Sequence, residues 1–334
     1  MGRCATFDRR DLFSLHTQFG ARALAGQRRD LERAQSGTPG EVMTISAGIE
    51  AGKTDRDENF PVASFLLASR LRAPILSFYR FARAADDIAD HAALSERDKF
   101  AGLDFLERTL LGKSDKAKAA LPLRSVLAEH RLAPTHPLDL LTAFRADVSK
   151  RRYADWDELM HYCRYSANPV GRFVLDLHGE DRSVWSYSDS LCSALQVINH
   201  LQDCAKDYRE LDRVYLPLDV MERFGARVEE LGAPKCSPAL RACLKSIADK
   251  TTGLLPDASR LPLAVKDTRL GLETGAIVKL AQRLAALLIA RDPLSEHVHL
   301  SKLAGLRNGI QGAAGTFAAR LTRRSDFTRP KQKQ

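Results

Sequence analysis

Two acidic segments constrain this chain more than any other feature: Asp86-Asp87-Ile88-Ala89-Asp90 and Asn199-His200-Leu201-Gln202-Asp203-Cys204-Ala205-Lys206-Asp207. In a helix, residues four apart share a face. Asp86 and Asp90 therefore stack on one stripe, and Asn199, Asp203 and Asp207 on another. Carboxylates at that spacing repel, so a buried stripe needs positive charge beside it. Stripes built from oxygen donors suit Mg²⁺, a hard cation usually shared with substrate phosphates.

The surrounding pattern is helical. Apolar residues recur at three and four, Ala, Leu, Arg and Glu dominate, and strand-like alternation is scarce. Breakers fall at Ala73-Pro74, Ala133-Pro134, His136-Pro137, Pro217, Gly232-Ala233-Pro234, Pro256, Pro262 and Pro293. They predict about eight to ten helices. With no repeat and no mid-chain linker, one all-α domain over residues 57–320 is the simplest account. Residues 1–56 read as a poorly structured, Arg-rich extension, and 321–334 as a basic tail, either solvated or set against anionic lipid.

Composition narrows the partners. The chain has 51 basic and 42 acidic residues, for a net charge of +9. That favours anionic partners without choosing among phosphate esters, anionic membrane and nucleic acid. Arg151-Arg152 before Tyr153 and Trp156 could stack bases, but no nucleic-acid motif accompanies them, so nucleic acid is not expected. Six cysteines without CxxC or zinc spacing read as reduced packing residues in a cytoplasmic protein. The first ten residues lack a signal peptide's apolar stretch, and no uncharged run approaches the ~18 residues of a membrane span.

The stripes can be placed on two helices, one from about Pro74 to His91 and one from about Ser188 to Tyr208. Tyr79, Arg83, Asp86/Asp87 and Asp90 follow one face of the first. Gln196, Asn199, Asp203 and Asp207 follow one face of the second. Either stripe alone would suit a solvated side. Three details favour facing walls instead: small alanines frame Asp86-Asp87, neutral amides suit a buried polar cavity, and the chain around these acids is basic. Two such walls holding Mg²⁺ form a socket for a diphosphate, whose departure the metal assists. Arg83 could add a charge-assisted hydrogen bond.

With these residues in place, the chain resembles the squalene/phytoene synthase family of head-to-head prenyl-transfer enzymes. Phe78 through Asp90 is similar to its first aspartate-rich motif and Gln196 through Asp207 to its second. Arg213-Val214-Tyr215-Leu216-Pro217 is similar to its tyrosine–leucine–proline signature. Tyr162-Cys163-Arg164-Tyr165-Ser166-Ala167-Asn168-Pro169-Val170-Gly171 stands where the family has a substrate-cavity helix. The resemblance implies a single antiparallel helix bundle of isoprenoid-synthase type with a central cavity. It implies that Asp86, Asp87, Asp90, Asn199, Asp203 and Asp207 hold two or three Mg²⁺ ions with a prenyl diphosphate. Tyr79, Arg83 and Tyr215, the last on a segment that could close over the site, become catalytic candidates. Gln196, Tyr162, Val170, Gly171 and Arg213 become substrate-binding candidates.

Departures from the family pattern point to a branch. Gln202 replaces an Arg common in the family, and Asn168-Pro169 interrupts the cavity helix, where Pro169 should kink the chain and Asn168 could hold a water. Together with Glu58 through Ser64, these features resemble the hydroxysqualene synthases of bacterial squalene and hopanoid pathways. That branch ionises presqualene diphosphate and adds water. No glycine-rich loop for a nicotinamide is present, so NADPH is not expected. The alternatives are condensation of two prenyl diphosphates on the same fold, and a non-catalytic helical scaffold. Contact with other enzymes of squalene synthesis, or peripherally with the inner face of the membrane, stays open.

Overall fold

Capping side chains start many of the helices. Ser95, Asp155, Ser237 and Asp267 each precede a helix and accept a hydrogen bond from the N–H three residues on, at 3.2, 2.8, 3.1 and 2.9 Å. Prolines do the same work elsewhere. They stand in the first turns of α3 (Leu121–Glu129), α9 (Pro238–Thr252), α10 (Leu255–Ala258) and α11 (Leu261–Ala264), where the missing N–H has no helical partner to lose.

A computed structural model describes residues 66–328, with side chains as far as Thr322. The expected N-terminal extension and the Glu58 to Ser64 segment lie outside the described residues. The fold is all-α. α1 (Ser69–Asp90) packs on α2 (Glu96–Leu110) and α4 (Thr135–Ser149). α5 (Trp156–Ser166) and α6 (Asn168–Leu177) lead to the 27-residue α7 (Trp185–Leu211). α7 runs through the middle, contacting α6, α9, α10 and α12 (Thr268–Ala290). A short α8 (Leu218–Arg223) follows a short strand pair, and α13 (Lys302–Thr328) packs against α12.

Three expectations about breaks change. α1 starts at Ser69 and runs through Pro74, which lies in its second turn and is buried; the lost hydrogen bond falls near the helix start. At Pro169 the anticipated kink is a full break. α5 ends, Ala167 adopts φ −123°, and α6 begins at Asn168 with Pro169 in its first turn. The boundary expected at 320 falls inside α13, which continues to Thr328.

Two short strands matter for the site. β1 (Arg152–Tyr153) pairs in parallel with β2 (Val214–Pro217), all four residues of which are buried. The largest fully buried side chains include Phe81, Tyr153, Phe173, Leu195 and Ile198. Phe78 stacks on Phe173 at 4.1 Å, joining α1 to α6. No helix among the described residues is long and apolar enough to cross a membrane.

The α12–α13 contact is unusually close. A Cβ on Gly312 would lie 2.3 Å from the Gly275 carbonyl and 2.8 Å from Ala276 Cα. Backbone cannot retreat as a side-chain end can, so Gly312→Ala should destabilise the protein by about 1–3 kcal/mol. Gly315 has nothing within 4 Å of such a Cβ. Gly315→Ala should therefore be neutral or stabilising by up to about 1 kcal/mol. Urea denaturation of both variants checks the pair.

Candidate active site

Helix ends set the electrostatics of the site. Asp90 is the last residue of α1, Asp147 lies two residues from the end of α4, and Asp207 four from the end of α7. A helix C-terminus carries partial negative charge, so acids there are unfavourable unless a cation offsets them. Asp86, Asp147 and Asp207 are nonetheless buried.

Arg213 supplies one such cation, and the local chain explains its reach. Asp212 takes the left-handed conformation (φ 50°) and reverses the chain at the end of α7. The Arg213 N–H then donates to the Asp207 carbonyl at 3.1 Å. Its guanidinium turns back, lying 2.7 Å from Asp90 Oδ1 and donating to the Asp147 carbonyl at 2.9 Å. One buried arginine thus joins three helix ends.

The two acidic stripes share this region. On α1, Arg83 lies between Asp86 Oδ2 (3.1 Å) and Asp87 Oδ1 (2.5 Å). Burial opposes the Arg83 charge, but Asp86, Asp87 and Tyr79 outweigh it and raise its pKa. Burial first, then Asp90, pushes the Asp86 carboxyl well above the usual carboxylate range. Burial and then Asp203 do the same to Asp207, with Asp90 adding across the gap. Arg213 links the two helix ends, its guanidinium meeting Asp90 and its N–H the Asp207 carbonyl. Asn199, also buried, belongs to the α7 stripe.

Beside the stripes is an aromatic group anchored on a carboxylate that the motif reading missed. Asp147 accepts from the Tyr162 hydroxyl at 2.8 Å and the Tyr215 hydroxyl at 3.1 Å. Tyr215 stacks on His200 at 3.7 Å and on Tyr153 at 5.4 Å. Burial holds the His200 imidazole neutral, its pKa lowered to about 3. Its Nε2 accepts from the Gln196 amide at 3.2 Å. A signal for Asp147 was present: Leu140, Leu141, Phe144, Asp147 and Val148 form the buried stripe of α4, and one acid interrupts it.

Other candidates point elsewhere. Gln202 is buried, but its amide donates to the Val298 carbonyl at 2.5 Å, so it ties down the segment after α12. One helical step of 100° separates it from the Asp203 stripe. A Cβ on Gly171 would lie 2.3 Å from Ser188 Oγ, so this glycine lets α6 close on α7. Val170 packs against the core. Asn168 accepts from Ser193 at 3.0 Å and lines a cleft of about 360 Å³ with Met160, Arg164 and Asp189. None of the stripe residues lines that cleft.

The stripes offer oxygen donors on two walls, and burial, with neighbouring acids, disfavours ionisation of Asp86 and Asp207. That donor chemistry fits a hard divalent cation. Among the described residues no three His, Cys, Asp or Glu side chains converge to hold a metal unaided. Oxygens from a ligand would have to complete any coordination.

Comparison with known proteins accords with this geometry. The squalene/phytoene synthase family model matches residues 53–304, a span that contains both stripes, Asp147 and β2. The chain belongs to the squalene/phytoene synthase family. It is an enzyme of that type. It is 52% identical over 283 residues to a hydroxysqualene synthase of Rhodopseudomonas palustris, covering 85% of this chain and 96% of the relative. A hydroxysqualene synthase of Sinorhizobium fredii is 51% identical, with 83% and 95% covered. Among solved structures, a squalene synthase of Alicyclobacillus acidocaldarius is 31% identical with a TM-score of 0.61, covering 76% of this chain and 94% of that one. A dehydrosqualene synthase, 20% identical with a TM-score of 0.68 over 84% of this chain and 98% of that one, shares the fold.

Asp147 gives this site a measurable signature. Burial raises its pKa from 3.8 to about 6 in the folded protein, against relief from Arg213. The folded state therefore keeps the proton longer than the unfolded chain. Its contribution is full below pH 4 and is lost as pH rises to about 6. Two pKa units correspond to about 3 kcal/mol. Asp147→Asn should remove that component, so stability measured in urea from pH 4 to pH 7 falls more steeply in wild type. Parallel curves would contradict the assignment.

Proposed function

We propose that this enzyme acts in C30 isoprenoid synthesis, ionising presqualene diphosphate and quenching the rearranged cation with water to give hydroxysqualene. One observation supports the reading: carboxylates from the ends of α1, α4 and α7 gather about Arg213 in a chain about half identical to hydroxysqualene synthases. In this reading Asp86, Asp87, Asp90, Asn199, Asp203 and Asp207 hold Mg²⁺ with the diphosphate of the substrate. When bound, Mg²⁺ supplies positive charge that eases departure of diphosphate. Arg83 orients Asp86 and Asp87, and Arg213 holds Asp90 toward the α7 wall.

The aromatic group serves the other end of the reaction. The Tyr162 and Tyr215 rings stand beside His200, which burial keeps neutral, so the imidazole adds no positive charge of its own there. Their faces attract positive charge, and Asp147 fixes their hydroxyls. Gln196 keeps the His200 ring in place. The Asn168 amide oxygen accepts from Ser193 and the residue lines a cleft without the stripe residues, so the quenching water is not assigned to it in this reading. The overall step consumes water and releases diphosphate, so it needs no hydride donor.

Presqualene diphosphate with Mg²⁺ should give hydroxysqualene and diphosphate, and a chelator should stop it. Asp86→Asn and Asp203→Asn should each lower kcat by on the order of 100-fold or more. Consumption of farnesyl diphosphate in place of presqualene diphosphate would assign the condensation reaction instead. No diphosphate release from either would support the scaffold reading.

The rings and hydroxyls can be separated. Tyr215→Phe keeps the stack on His200 and loses the bond to Asp147, whereas Tyr215→Leu loses both. The Leu variant should be slower than the Phe variant by roughly 5- to 30-fold, the equivalent of about 1–2 kcal/mol of cation–π attraction. Equal rates would remove the rings from the mechanism.

A further inference from the structure

The outermost helix is turned the opposite way from a helix that merely covers a core. The side of α13 facing α12 carries Asn308, Gly312, Thr316 and Arg320. Arg320 donates inward to the carbonyls of Pro262 and Val265. The large apolar residues face out: Leu303, Leu306, Ile310, Phe317 and Leu321 are 77, 37, 59, 52 and 51% exposed. They recur at steps of three, four, seven and four, which puts them in one row about 27 Å long. Single exposed leucines are ordinary. Five large apolar side chains in register on one helix mark an interaction surface.

This face cannot be turned inward. The α12–α13 seam is so close that a Cβ on Gly275 would meet Thr316 Oγ1 at 2.0 Å, and one on Gly312 would meet backbone. Rolling α13 would drive leucine and phenylalanine into a gap with no room for a methyl group.

Charge selects the occupant. From Lys302 to Gln334 the chain has eight Lys and Arg and one acid, Asp326. Two copies meeting on this face would bring like charge together. A surface of anionic lipid offers both complements: headgroups for the basic residues and the acyl boundary for the apolar row. We infer that α13, with the basic segment that follows it, docks the enzyme on an anionic lipid surface. This inference is independent of the reaction catalysed.

Sedimentation of the full chain with vesicles tests it. Binding should appear with vesicles of phosphatidylcholine containing one-third phosphatidylglycerol, weaken on phosphatidylcholine alone, and weaken with added salt. The double variant Ile310→Ser/Phe317→Ser should bind on the order of 10- to 100-fold more weakly while keeping its helical circular dichroism. Arg323→Gln/Arg324→Gln should lose affinity on the anionic vesicles only. Three results would overturn the inference: no vesicle binding by wild type, equal binding by the serine variant, or a wild-type dimer that the serine substitutions render monomeric.

Discussion

The ion pair between Arg213 and Asp90 is the interaction on which the site depends. Three helices end in the same region, each bringing a carboxylate and the negative end of its dipole. Without a buried cation their C-termini would repel. Arg213 answers on two sides, to the Asp90 carboxylate and the Asp147 carbonyl, while its own N–H is held by Asp207. It can do so because the left-handed residue Asp212 turns the chain just before it, and because β2 pairs with β1 just after it. Arg213 and Arg83 together still leave the acids underneutralised. That residual negative charge is what a metal–diphosphate pair would complete.

The same short segment positions the aromatic group. Tyr215 is two residues beyond Arg213 in buried β2, and its hydroxyl reaches Asp147 on the helix that also receives Arg213. The anionic and aromatic halves of the site are therefore built from one turn, one strand and the end of α4. A change that moved this turn would disturb both halves together.

Much of this was legible in the sequence because it is periodic. Residues at steps of three and four report a helix face, so the stripes and the helical class could be read directly, whereas the Tyr215 signature came only from the resemblance to the family. Asp147 was harder, because a lone acid in an apolar stripe has no partner nearby in sequence; its partners lie 15 and 68 residues away. Gln202 shows the opposite limit. Standing where the family commonly has Arg, it was read as a mark of the branch, but adjacent helical residues point in different directions, and only tertiary structure supplies its Val298 partner. Gly171 likewise stands in a substrate-like motif yet serves helix packing. Proline misled at Pro74, since composition cannot tell a helix break from a loss tolerated near a helix start.

Calorimetric titration of inorganic pyrophosphate into the enzyme tests the account most directly. Heat of binding should appear only with Mg²⁺ present. It should weaken by on the order of 10-fold or more when either wall loses one charge, in Asp86→Asn or in Asp207→Asn. Binding that ignores Mg²⁺, or that survives neutralisation of one wall unchanged, would contradict two facing rows acting as a single socket.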